Sequence, residues 1–184
     1  PAPLNPGKSS AFVEERTNPK DIEWHFIGKL QSNKCKTLVK GVPNLHVVET
    51  VDTVKLANKL NNACESVSRD KPLRVFVQVN TSGEESKSGC TPKDCVGVVK
   101  HVTSSCKNLR FVGLMTIGRY GDTTSDCFKV LCACRDDVLK HVDLPEDTQK
   151  NFEMSMGMSG DFPLAIECGS TNIRVGSSIF GART

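Results

Sequence analysis

SMGMSGDFPLAIECGSTNIRVGSSIFGAR, the run from Ser155 to Arg183, uses one device twice. An apolar strand, Phe152–Met158, opens into Ser159, Gly160 and Asp161 ahead of a short helical stretch; a second, Asn172–Val175, opens into Gly176, Ser177 and Ser178. Glycines let backbone N–H groups come close to an anion, hydroxyls add donors, and a helix N-terminus adds partial positive charge. Two such strand ends side by side read as a phosphate cup. The same residues also make ordinary turns. Position favours the cup, because in a parallel barrel the loops after the last two strands are the usual phosphate site.

Upstream of this run the chain alternates strand and helix. Strands are expected at Ile22–Ile27, Leu45–Glu49, Leu73–Asn80 and Arg110–Ile117, ahead of the two already named. Between them lie a basic helical segment from Gln31 to Lys40 and a helix starting near Asp52 or Thr53, with Leu56, Leu60, Ala63, Cys64 and Val67 on one face. Thr91 is expected to cap a helix that begins at Pro92, and Phe128, Leu131, Val138 and Val142 form the stripe of the next. Gly169 is expected to stop a helix over Asp161–Cys168. Six strands alternating with helices imply right-handed β-α-β units and a parallel sheet, either open and doubly wound or closed into a barrel. The pattern alone does not choose between them.

The composition narrows the function classes. At 184 residues, with 38% hydrophobic and 24% charged side chains, the chain is expected to form one globular domain over residues 21–184 behind an irregular segment, residues 1–20. No apolar run is long enough to cross a bilayer. The net charge of +3 is scattered, so neither a membrane nor a nucleic-acid partner is expected. Nine cysteines without a C-x-x-C fit reduced, buried thiols and a cytoplasmic location; Cys132 and Cys134 point to different faces of one helix. The chain lacks the Rossmann and Walker glycine patterns, and His25, His46, His101 and His141 occur singly, with no nucleophile motif.

The segments WHFIGKLQSNK (Trp24 to Lys34), VNTSGEESKSG (Val79 to Gly89) and GLMTIG (Gly113 to Gly118), with SMGMSGDF and IRVGSSIFGAR near the end, closely resemble the pyridoxal phosphate homeostasis protein family, plant-type members above all. That resemblance implies a (β/α)8 TIM barrel of the alanine racemase N-terminal type, the six strands standing for its third to eighth. It also implies pyridoxal 5'-phosphate (PLP) as cofactor, with Ser155, Gly157, Ser159, Arg174, Gly176 and Ser177 as the binding residues. Ser155, Gly176 and Ser177 would take the phosphate, and Arg174 would face the pyridine nitrogen. A guanidinium there disfavours protonation of that nitrogen and weakens the ring as an electron sink.

Members of the family carry a Schiff-base lysine on an earlier strand, and here only about twenty residues precede Trp24. Lys8 has no apolar strand before it, so the expectation is a chain lacking two strands and the covalent anchor. An open barrel would leave unpaired edges. The implied role is a non-catalytic PLP carrier or buffer in vitamin B6 homeostasis, a monomer or weak dimer whose partners would be apo PLP-dependent enzymes. The alternatives are a PLP-dependent racemase-like enzyme, or a barrel enzyme acting on another phosphorylated small molecule.

Overall fold

The computed structural model describes residues 22–119, 121 and 124–181. Six parallel strands form one sheet: β1 (Trp24–Phe26), β2 (Leu45–Val51), β3 (Leu73–Gln78), β4 (Leu109–Met115), β5 (Glu153–Met158) and β6 (Asn172–Arg174). They lie in sequential order, each parallel to the one before. A doubly wound sheet reverses its strand order at a switch point, and this one does not.

Side chains crossing the concave face show that the sheet is curled. Strands β2 and β5 are three strand spacings apart, roughly 14 Å in a flat sheet, yet the Ser155 hydroxyl of β5 donates to Glu49 of β2 at 2.5 Å. Arg74 of β3 likewise pairs with Glu153 of β5. The six strands are an arc of a barrel.

Helices cover the convex face. They are α1 (Cys35–Gly41), α2 (Val54–Ser66), α3 (Pro92–Ser105), α4 (Asp126–His141), α5 (Glu146–Lys150) and α6 (Phe162–Glu167), with a single 3-10 turn at Ser32–Lys34; α7 (Ser177–Phe180) follows β6 and buries none of its residues. The Thr53 and Thr91 hydroxyls accept from the N–H groups of Leu56 and Asp94, and Pro92 opens α3. The main core lies between sheet and helices, from Leu45, Val48 and Val75 across to Leu60, Val99 and Leu131. A smaller apolar layer of Val47, Phe76, Val112 and Met115 lines the concave face. Gly113 brings β4 hard against β5, where a Cβ would fall 1.9 Å from the Glu153 carbonyl oxygen.

Strand and helix boundaries fall within a few residues of those expected from the pattern. The expected helical segment Gln31 to Lys40 is split into the 3-10 turn at Ser32–Lys34 and α1, while helices α5 and α7 had no counterpart in the pattern, since four or five residues carry too little periodicity to read. Among the described residues β1 and β6 are paired on one side only. Trp24 and Ile27 stand exposed at one edge, Ile173, Ile179 and Phe180 at the other. No helix of the described residues is long and apolar enough to cross a membrane. Lys8 and Tyr120 lie outside the described residues.

Candidate functional site

The strands end their runs at one rim of the arc, and the two Ser/Gly segments meet there. After β5 the chain turns tightly, with the Asp161 carboxylate accepting from the Met158 N–H at 2.6 Å. This carries Ser159 over to the end of β6. Its Oγ accepts from the Gly176 N–H at 3.1 Å and from the Ser178 N–H at 3.3 Å. Two backbone donors therefore converge on one oxygen. Gly176 has open space where a Cβ would stand, and Ser177 beside it is exposed. Such convergent donors could hold one oxygen of a multi-oxygen anion in the position the Ser159 hydroxyl takes here.

Ser155 lies deeper and plays a different part. It is fully buried; its hydroxyl donates to Glu49 Oε2 and accepts from Arg174 Nη1 at 2.8 Å. The expectation gave this serine to a phosphate; in this structure its hydrogen goes to Glu49. Gly157, the next expected residue on the same strand, lies against α6. Its φ is +97°, and a Cβ there would sit 2.6 Å from Ala165 Cβ and 3.1 Å from Phe162 Cα. The glycine is needed so that α6 can pack on β5.

Arg174 projects from β6 into the concave face. Besides Ser155, it donates through Nη2 to the Thr116 carbonyl at 2.8 Å. Burial lowers its guanidinium from the ordinary value while Glu49 and Asp161 oppose the shift, and an arginine stays charged in such a setting.

Glu49 was not among the expected site residues. It is 1% exposed, and its Oε1 accepts from Asn172 Nδ2 at 3.3 Å and faces His25 Nδ1 at 2.7 Å. Burial pushes the Glu49 carboxyl up, yet the hydrogen bonds from His25 and Ser155 and the Arg174 charge together hold it below the usual value. The His25 ring in turn stacks on His46, centroids 5.7 Å apart. The one signal in the sequence was a carboxylate inside the apolar strand LHVVETV, since a buried charge must be paired. Gln78, also in the concave layer, leaves its Oε1 buried without a partner.

The SKSG loop lies at the same rim. Gln78 Nε2 donates to the Ser88 carbonyl at 3.0 Å, and Lys87 Nζ donates to the Gly118 carbonyl at 2.7 Å while pairing with Glu84 at 2.8 Å. Lys87 is thus a tether between the loops after β3 and β4. The nine cysteines are free thiols, all buried except Cys132 and Cys168, which are half-buried. Cys132 reaches the Cys168 carbonyl and Cys134 faces the core, on different sides of α4. At the opposite end of the strands a cavity of about 480 Å³ opens among Lys40, Arg69 and Lys71. Its cations sit where α1 and α2 end, complementing the negative helix ends.

A parallel arc with an anion cradle at its last two strand ends and an arginine beneath it has a direct match among known families. The model described as alanine racemase, N-terminal domain, matches residues 23–184. The chain belongs to that family. It is 46% identical to the pyridoxal phosphate homeostasis protein of Homo sapiens over 94% of its own length, and 46% identical to the protein of that name in Schizosaccharomyces pombe over 90%. It spans 65% of the human protein and 67% of the yeast one. Among solved structures, PipY of Synechococcus elongatus with PLP bound superposes with a TM-score of 0.70 at 28% identity, covering 93% of this chain and 74% of that one. The described arc is accordingly part of an alanine racemase-like barrel, six of its eight strands.

Proposed function

We propose that this chain binds PLP without catalysing a reaction of its own and serves vitamin B6 homeostasis in the cytosol, as a carrier or buffer that supplies the cofactor to apo-enzymes. The observation that carries this reading is the 46% identity to proteins named for PLP homeostasis, extending over nine-tenths of the chain. PLP bound in PipY supports the choice of ligand.

The residues present fit PLP. Backbone N–H groups of Gly176 and Ser178, with the hydroxyls of Ser159 and Ser177, would hold the phosphate, where two donors already converge on one oxygen. Arg174, anchored by Ser155 and Thr116, would meet the ring. When bound, PLP supplies an electron-withdrawing ring whose power depends on protonation of its pyridine nitrogen. A fixed guanidinium disfavours that protonation, so Arg174 would keep the ring a weak electron sink. None of the six described strands contains a lysine, and the phosphate cradle is therefore the principal hold within the described residues.

Equilibrium titration with PLP, paired with an amino-acid racemisation assay, tests the reading. Binding without racemisation is expected, and Ser177→Asp, which sets a negative charge against the phosphate, should abolish it. Racemase turnover would overturn the carrier role, and wild-type protein that fails to bind PLP would overturn the reading altogether.

A further inference from the structure

Among the described residues Glu49 is the one carboxylate withdrawn fully from water, and a fold does not keep such a charge without compensation. Its surroundings say what it does. A carboxylate can only accept, so the Ser155 hydroxyl must give it its single hydrogen. That leaves Ser155 only lone pairs for Arg174, whose Nη1 donates to it at 2.8 Å. The negative charge of Glu49 thus sets the direction of the second hydrogen bond from the far side of the first. With Thr116 holding Nη2, the guanidinium is fixed at two points. His25 and Asn172 brace the carboxylate from the other side, so a continuous chain of polar contacts links β1, β2, β5 and β6.

We propose that Glu49 is a positioning residue for the ligand site: acting through Ser155, it orients and partly neutralises Arg174 where the ring of the bound vitamin B6 phosphate rests. The proposal builds on the PLP reading above. Glutamine at position 49 keeps the size but loses the charge, and its amide can turn a donor towards Ser155, which frees that hydroxyl to point at Arg174.

The test is a double-mutant cycle in the whole chain, read as the dissociation constants of PLP and of pyridoxine 5'-phosphate, which has no aldehyde. Glu49→Gln should weaken both by about tenfold, the scale of a hydrogen bond to a charged group. In an Arg174→Gln background the same change should cost less than about twofold, because its route of action is gone. Equal losses in both backgrounds, or no loss in either, would overturn the proposal, since a merely structural glutamate has no reason to depend on Arg174. If Glu49→Gln does not fold, Ser155→Ala cuts the same link and must show the same non-additivity. A ligand-free measurement separates this proposal from the PLP reading. Side-chain nitrogen NMR should show slowed rotation of the Arg174 guanidinium in the wild type, with averaging in Glu49→Gln or Ser155→Ala. Identical Arg174 signals would refute the positioning role even if PLP binds; slowed rotation lost in the variants, in a protein that does not bind PLP, would uphold the link from Glu49 to Arg174 and overturn the ligand assignment alone.

Discussion

Replacing Gly157 by alanine adds one methyl group at the tightest approach of α6 to β5, and two penalties follow from the geometry. The backbone there has φ +97°, a region costing an L-residue about 1 kcal/mol or more. The new Cβ would lie 2.6 Å from Ala165 Cβ, well inside ordinary apolar contact of roughly 4 Å. Ala165 is fully buried and cannot swing towards solvent, so helix and strand must separate. Overpacking of this kind costs about 1–3 kcal/mol. Together the terms come to about 3 kcal/mol, which lowers Tm by about 6–12 °C in a domain of this length. Gly83→Ala is the control: its φ is +72°, and no atom stands within 4 Å of an added Cβ, so only the backbone penalty remains. Thermal and urea unfolding of both variants measure the difference. A Gly157→Ala protein melting within about 2 °C of wild type would refute the packing argument.

Acid should unfold the wild type more readily than Glu49→Gln loses stability over the same range. The folded carboxyl titrates below its ordinary value, so its contribution is complete above the unfolded value, about 4.3, and is lost as pH falls through the lower folded value. Urea midpoints between pH 6 and pH 3 should therefore fall less steeply in the variant, and parallel slopes would contradict the assignment. Lys87→Ala removes the tether to the Gly118 carbonyl. A Glu-specific protease should then cut faster at Glu84 or Glu85, with little change in melting temperature, whereas an unchanged cleavage rate would show that the tether does not order the loop.

Much of the architecture is legible in single stretches of chain because its causes are local. Side chains alternating every second residue mark strands, apolar stripes at helical spacing mark helices, and Thr91 before Pro92 announces a capped start that the structure contains. The wording of five spaced segments, from Trp24 to Arg183, was enough to point to the family. The strand–helix pattern did not choose between barrel and open sheet, because curvature arises from how all the strands coil together and no strand encodes that by itself; the family resemblance supplied the barrel.

The interior of the site belongs to the tertiary structure for the same reason. Ser155 and Glu49 are 106 positions apart, and Asn172 and Glu49 are 123 apart; they meet only because the sheet bends the last strands back over the second. His25, read as a solitary histidine, stacks on His46 and braces the buried carboxylate because β1 pairs with β2. Sequence spacing brought Ser155, Gly157 and Ser159 together on alternate positions of one strand end, but could not say which of them faces solvent. Burial committed the Ser155 hydroxyl to Glu49, the approach of α6 claimed Gly157, and only Ser159 reached the backbone donors of the neighbouring strand end. A motif specifies which chemical groups arrive at a rim; packing from both sides decides which of them remain free to bind.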